Sequence, residues 1–249
     1  MVQLFCLEDN LQCVIMAGGL GTRMSRFTKE IPKALIPVSG QPFIRRQLHN
    51  LSSQGISQVI ISTGYLGDQI EAEVSENCPK GMTVTCVSDG PVLLGTGGSL
   101  RRIFDLGLLD DVFLYTYGDS YLTVDHMKVA ETYEAAVADA LMTVCENSGG
   151  HETGNAIVKD GMVTLYQKKN DDARMKWIDY GLSVISSNAL SSYIAPGETS
   201  DIALMFEKLS IENRLQAYIS SERYFEIGSM TGLQELESHL ASPDYPLSR

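Results

Sequence analysis

The sequence predicts an α/β fold: a mostly parallel sheet flanked by helices, with a smaller antiparallel part in the second half. Three observations carry this. Short runs that are apolar at every position alternate with helix-period segments over the first 140 or so residues. Turn-rich, period-two segments take over after about residue 145. The chain has 249 residues, 44% of them hydrophobic, enough to bury a full core without disulfide or metal staples.

The elements follow in order. Cys13-Val14-Ile15-Met16-Ala17 is the first buried run and ends in Gly18-Gly19. Pro32 and Pro37 bracket a segment expected to be extended and to present Lys33. A helix is expected over 43–54, with Ile44, Leu48 and Leu51 on one face, Pro42 before it and Gly55 after it. Val59-Ile60-Ile61 reads as a strand, 66–77 as a helix and about 98–106 as another. Val112-Phe113-Leu114-Tyr115 is a further strand, followed by a helix over 125–138. This β-α alternation implies right-handed crossovers, with ligands at the carboxyl ends of the strands. In the second half, 155–158 and 162–166 flank Asp160-Gly161, a hairpin turn signal. A strand over 178–185 contains Gly181. A helix over 201–209, strands over 215–219 and 224–227, and a final helix over 233–240 complete the chain. Without repeats or a low-complexity linker, residues 1–249 read as one domain, with halves at about 12–145 and 146–240.

Charge and composition exclude several classes. There are 19 Lys+Arg against 31 Asp+Glu, a net charge of -12. Such acidity argues against a nucleic-acid binder and requires that anionic ligands meet local cations or a metal. No run of about 18 apolar residues is present, so no membrane helix is expected. The start of the chain carries Glu8 and Asp9 and no basic residue, unlike a leader peptide. The cysteines Cys6, Cys13, Cys78, Cys86 and Cys145 form no CxxC pair, which fits a reducing cytoplasm.

The chemistry concentrates after the first strand, in Ala17-Gly18-Gly19-Leu20-Gly21-Thr22-Arg23-Met24. Glycines there let backbone N–H groups approach an anion, and Arg23 adds charge. A Rossmann fingerprint would need glycine where Met24 stands, and a Walker A loop would need a Gly-Lys pair that the chain lacks. Ten residues on, Pro32-Lys33-Ala34-Leu35-Ile36-Pro37 supplies a second cation.

Together with Thr28, Pro37-Val38 and Gly40-Gln41-Pro42-Phe43, these residues resemble the signature of the sugar-phosphate nucleotidyltransferases, above all the small hexose- and heptose-1-phosphate guanylyltransferase-like members, mannose-1-phosphate guanylyltransferases among them. The resemblance continues through Leu94-Gly95-Thr96-Gly97-Gly98-Ser99-Leu100 and Tyr117-Gly118-Asp119-Ser120 and spans about 12–240. It implies the Rossmann-like nucleotide-diphospho-sugar transferase fold, with a nucleotide-binding first half and a sugar-binding second half. It also implies a reaction: an NTP, GTP first, and a sugar 1-phosphate of heptose or mannose type give an NDP-sugar and pyrophosphate. Within it, Arg23 would bind the triphosphate and Lys33 the α-phosphate. Ala17, Gly18, Gly19, Gly21 and Thr22 would lie along the nucleotide, and Leu94, Gly95 and Thr96 against the base and nucleoside. Asp119 would hold Mg²⁺. In Phe225-Glu226-Ile227-Gly228-Ser229, Glu226 stands where relatives have a second aspartate ligand. On the sugar side the resemblance points to Gly154, Gln167, Lys168 and Tyr180, Lys168 being the third catalytic cation. Gln167 replaces the usual acid, which points to an altered sugar. A cytoplasmic enzyme is implied, with a homodimer as in many relatives and without nucleic-acid or membrane partners. The alternatives are a cytidylyl- or uridylyltransferase acting on another phosphorylated acceptor, and a non-catalytic nucleotide-sugar binder.

Overall fold

A computed structural model of the chain describes residues 11–19, 30–147, 153–169 and 172–242. Strand β1 (Gln12–Met16) is buried along its whole length. Its side chains alternate between two cores, Val14 and Met16 on one face of the sheet and Cys13 and Ile15 on the other. Two short strands, β2 (Pro37–Val38) and β3 (Gln41–Pro42), pair with each other ahead of helix α1 (Phe43–Ser53). Strand β4 (Gln58–Thr63), helix α2 (Gly67–Asn77), strand β5 (Thr83–Ser88), helix α3 (Gly95–Asp105) and strand β6 (Val112–Tyr117) continue the alternation. β5, β4, β1 and β6 are parallel neighbours in that order.

The rest of the sheet is added beside β6. After β7 (Ser120–Leu122) and α4 (His126–Thr132) come β8 (Ala140–Glu146), the hairpin β9 (Ala156–Lys159) and β10 (Met162–Tyr166), and the long β11 (Trp177–Ser186). Helices α5 (Ser187–Tyr193) and α6 (Ala203–Ile211), strands β12 (Leu215–Ile219) and β13 (Tyr224–Glu226), and helix α7 (Met230–Leu240) follow. The described residues form one nine-stranded sheet, β5-β4-β1-β6-β11-β8-β12-β10-β9. β11 is antiparallel to both β6 and β8, whereas β12 is parallel to β8. The sheet is thus parallel in its first half and mixed in its second, the α/β class read from the sequence. Helices α3, α5 and α6 cover one face and α1, α2 and α4 the other. A third cluster joins α7 to Tyr121 and Phe225 of the small β7–β13 sheet and to Ile227 just after it.

Local chemistry explains several boundaries. Asp160 and Gly161 both have positive φ, 50° and 77°, which closes the expected hairpin in the primed turn that suits strand twist. Gly181, at φ 94°, sits where the β11–β8 register shifts. Cys13, Cys78, Cys86 and Cys145 are free thiols.

Other boundaries are corrected. The segment after Pro32 is not extended: Lys33–Leu35 is a single 3₁₀ turn, closed by Leu35 N–H donating to the Pro32 carbonyl at 2.9 Å. The helix expected over 125–138 stops at Thr132. Beyond it the Glu134 N–H is taken by the Gln216 side chain of β12 at 3.0 Å, and the Tyr133 hydroxyl donates to the Ala138 carbonyl. Helix α3 begins at Gly95 rather than about Gly98, because the Ser200 carbonyl accepts the Gly97 and Gly98 N–H groups at 2.8 and 3.2 Å. β8 and α5 were not named from sequence, nor was β5, whose half-exposed Thr/Val/Cys pattern is that of an edge strand.

Gly154 owes its identity to packing. A Cβ there would lie 1.9 Å from the Met175 carbonyl oxygen, a backbone atom with little freedom to yield. Gly154→Ala is therefore expected to lose roughly 1–3 kcal/mol of unfolding free energy through overpacking. Gly19→Ala, whose methyl would meet nothing within 4 Å among the described residues, should leave stability unchanged. Urea midpoints check both, and equal midpoints for Gly154→Ala and the parent would show that this approach relaxes freely.

Candidate active site

A cleft of about 380 Å³ opens at the carboxyl ends of the parallel strands, where ligands collect in open α/β sheets. Met16 to Gly19 reach it from β1, Ser62 from β4, Asp89 and Leu93 from beyond β5, and Tyr117 to Asp119 from β6. Gly95, Thr96 and Ser99 enter from α3, Lys33 and Ala34 from the 3₁₀ turn, and Lys168 from the segment after β10.

Close backbone approach builds the floor. Gly118 N–H donates to the Met16 carbonyl at 2.9 Å, and Ala17 N–H to the Ser62 carbonyl at 2.8 Å. A Cβ on Gly118 would come within 2.9 Å of Ala17 and of the Met16 oxygen, so only glycine lets the two strand ends lie this close. From below, the buried Gln47 of α1 donates its amide to the Tyr117 and Ser120 carbonyls at 2.8 and 3.1 Å, pinning the turn that carries Asp119.

Among the described residues two cations enter the cleft, each held by a carboxylate. The Lys33 ammonium is paired with Asp119, and both side chains are largely withdrawn from solvent, at 14% and 26% exposure. Lys168 Nζ lies 2.5 Å from Asp201 Oδ2, in a more open setting. Asp201 Oδ1 in turn accepts from the Thr96 hydroxyl at 3.0 Å. At the far end, Asp89 is 7% exposed and its Oδ2 accepts Leu94 N–H at 3.0 Å. Beside it the Ser62 hydroxyl, on a residue 1% exposed, has no hydrogen-bond partner among the described residues.

The cleft thus gathers Ala17, Gly18, Gly19, Lys33, Gly95, Thr96, Asp119 and Lys168 from the residues expected from sequence. Gly21, Thr22 and Arg23 lie outside the described residues. The others are held elsewhere, each for a definite reason. Leu94 is tied by its N–H to Asp89 and by its carbonyl to Ser200 N–H, and its side chain does not line the cleft. Gln167 donates its amide to Glu207 of α6 at 3.2 Å. Tyr180 is 1% exposed in the core on the opposite face of the sheet, where its hydroxyl donates to the Arg223 carbonyl at 3.2 Å. Gly154 is the packing glycine described above. Glu226 opposes Ser120 across the β7–β13 ladder, yet its exposed side chain lines a second, broader cleft with Trp177, Arg223, Tyr224 and Glu235. Glycines 95, 97 and 98 are there for another chain segment: Cβ atoms on them would meet the backbone of 198–202 at 2.5, 3.2 and 2.3 Å.

Sequence reasoning missed Ser62, Asp89 and Asp201. Asp89 carried a usable signal, since it directly follows β5, a strand the alternation hid. Asp201 carried none, because its partners are 105 and 33 residues away.

Beside the cleft, Tyr115, Tyr117, Tyr166 and Phe206 pack edge to face, with centroids 5.3 to 6.4 Å apart. Burial raises the three tyrosine pKa values, so they stay neutral. Burial also pushes the Asp179 carboxyl up to about 6, against the opposing pull of Gly181 N–H, the Tyr166 hydroxyl and the Lys168 charge. Between its ordinary value of 3.8 and about 6 the native state keeps a proton that the unfolded chain has released. The stability this group contributes is therefore full below that window and is lost as pH rises through 6. Asp179→Asn is expected to remove that loss: its stability advantage over the parent should grow from pH 4 to 6 and then level off. Denaturation midpoints across that range check this, and a difference independent of pH would contradict it.

Comparison with known proteins agrees with this geometry. The family described as a MobA-like NTP transferase domain matches residues 13–186. The D-glycero-alpha-D-manno-heptose 1-phosphate guanylyltransferase of Aneurinibacillus thermoaerophilus is 26% identical over 219 residues, 88% of this chain and 93% of that one. The N-acetylmuramate alpha-1-phosphate uridylyltransferase of Caulobacter vibrioides is 31% identical over 161 residues, 60% of this chain and 66% of that one. Among solved structures, HddC from Yersinia pseudotuberculosis complexed with GMP-PN superposes with a TM-score of 0.79 at 25% identity, over 92% of this chain and 99% of that one. With the matched region running from β1 to the end of β11 and taking in both walls of the cleft, the chain belongs to the MobA-like NTP transferase family.

Proposed function

We propose that the protein transfers a guanylyl group from GTP to a sugar 1-phosphate of heptose or mannose type. An oxygen of the sugar phosphate attacks the α-phosphorus, the bond from α-phosphorus to the bridging oxygen breaks, and pyrophosphate leaves. The observation that carries this reading is the joining of Lys33 and Asp119 at the strand ends, with Lys168 brought to the same cleft from the other half of the chain. Phosphoryl chemistry asks little covalent help of a protein and much positioning and charge neutralisation. In a chain of net charge -12, the lining sets Lys33 and Lys168 against Asp89 and Asp119, so the acidity of the chain is offset at this cleft.

Lys33 would neutralise the α-phosphate as charge builds on it, and Lys168 would hold the acceptor phosphate. Asp119 suits Mg²⁺, which takes one or two carboxylates and completes its shell with phosphate oxygens and water. No group of three or more ligating side chains occurs among the described residues, so a bound ion would depend on substrate phosphate. Bound there, the ion would offset triphosphate charge. Asp119 would then exchange its Lys33 partner for the ion and free that ammonium for phosphate.

The preference for GTP rests on Asp89 and Ser62. A carboxylate is acceptor-only, and guanine presents two adjacent donors, N1–H and N2–H, whereas cytosine offers one amino group. The heptose or mannose acceptor rests on the guanylyltransferase relatives that align over 88% of this chain, including the 23% identical mannose-1-phosphate guanylyltransferase of Mycobacterium tuberculosis, which is covered over 61% of its length.

Pyrophosphate release, measured with Mg²⁺ and GTP, CTP, UTP, ATP or dTTP against a panel of sugar 1-phosphates, tests the reading. GTP with a heptose or mannose 1-phosphate is the pair expected to react. Release with CTP or UTP alone would replace the base assignment, and nucleotide binding without release would mark a non-catalytic binder. In the active pair, Lys33→Ala and Asp119→Ala should each lower kcat about 10²-fold or more. Asp89→Asn should cut the preference for GTP over the other nucleotides by about tenfold or more, since one good base contact is worth about that much.

A further inference from the structure

We propose that Asp201, which does not line the cleft, is a positioning residue that holds Lys168 in place for the acceptor phosphate and locks it to the nucleotide-side wall. The inference rests on the function proposed above.

Each Asp201 oxygen reaches a different cleft residue. Oδ1 accepts from the Thr96 hydroxyl at 3.0 Å, and Oδ2 is 2.5 Å from Lys168 Nζ. Thr96 and Lys168 come from opposite halves of the chain, and both line the cleft. The carboxylate is itself fixed. Oδ1 also accepts Ala203 N–H at 3.0 Å, and the Thr96 hydroxyl accepts Ile202 N–H at 3.0 Å, so both side chains are tied to the backbone of the segment that carries Asp201. The Ser200 carbonyl accepts from Gly97 and Gly98, and Ser200 N–H donates to the Leu94 carbonyl at 2.9 Å. Glycines 95, 97 and 98 leave no room for a Cβ against this segment, so it sits on the start of α3 without slack.

Lys168 has no such anchorage of its own. It follows the end of β10, its side chain is 51% exposed, and a free lysine there would sample many rotamers. The ion pair narrows that choice to positions over the cleft. A half-exposed pair adds little to folding stability, so its role can be separated from the fold. Asn at 201 keeps an oxygen for Thr96 and Ala203 and loses the charge and the second acceptor that hold the ammonium.

The experiment compares the parent, Asp201→Asn and Asp201→Glu. The first readout is the rate at which a small amine-acylating reagent modifies Lys168, followed by peptide mass spectrometry. Asp201→Asn should speed it severalfold, with Asp201→Glu near the parent rate. An unchanged rate in Asp201→Asn would overturn the proposal. The second readout is steady-state kinetics with the reactive pair. In Asp201→Asn, KM for the sugar phosphate should rise about tenfold and kcat should fall, with GTP affinity within about twofold of the parent, as expected when a positioned group is loosened. Recovery in Asp201→Glu would support the charge as the cause. A KM that falls would mean that Asp201 merely competes with substrate for Lys168, and it would sink the positioning role. If the parent transfers nothing to any acceptor, the proposed function fails, while the acylation rates still decide whether Asp201 holds Lys168.

Discussion

Everything in this molecule is arranged around the burial of β1 on both faces. A parallel strand at the middle of a sheet can lose water on both sides only if each face finds a helical layer, and none of the five β1 residues is exposed. Val14 and Met16 commit one face to α3, α5 and α6, while Cys13 and Ile15 commit the other to α1, α2 and α4. Because β4 and β6 flank β1 in parallel, all three end at the same edge. The cleft is the consequence: the chain leaves each strand there, and backbone groups no longer used by the sheet face outward.

At that edge the acidity of the chain is locally offset. With 31 acids and 19 lysines and arginines, the protein presents a field that repels polyphosphates. The cleft answers with cations that are paired in advance. Lys33 is matched by Asp119 and Lys168 by Asp201, so the ammonium groups are placed without leaving bare positive charge beneath the surface. An arriving phosphate then meets ammonium groups that are already held in place, and the cost of ordering two flexible side chains is reduced.

The glycine-rich stretches show how far a motif can be read. Glycines after β1 and at 95–98 both suggest room for a ligand when seen as letters. A Cβ on Gly19 would meet none of the described residues within 4 Å, but glycines 95, 97 and 98 are pressed against the backbone of 198–202. The same signal, absence of a Cβ, serves ligand approach in one place and chain approach in the other. Nothing within a few residues of either stretch distinguishes the two.

The α/β class, the positions of the central strands, the Asp160-Gly161 hairpin and the residues at the ends of β1 and β6 were legible in the order of the residues alone. These depend on hydrophobic period and turn chemistry, which act over neighbouring residues. Lys33, Asp119 and Lys168 were legible too, through resemblance in their flanking motifs. Which of these share a cleft depends on how the sheet and helices pack. That packing turned Gln167 toward Glu207, buried Tyr180 on the opposite face and opened Glu226 onto another cleft. It also brought in Ser62, Asp89 and Asp201. The side-chain contacts that fix these outcomes join residues tens of positions apart, and local sequence does not encode which distant group will complete a carboxylate's hydrogen bonds. That is settled when sheet order and helix packing are complete.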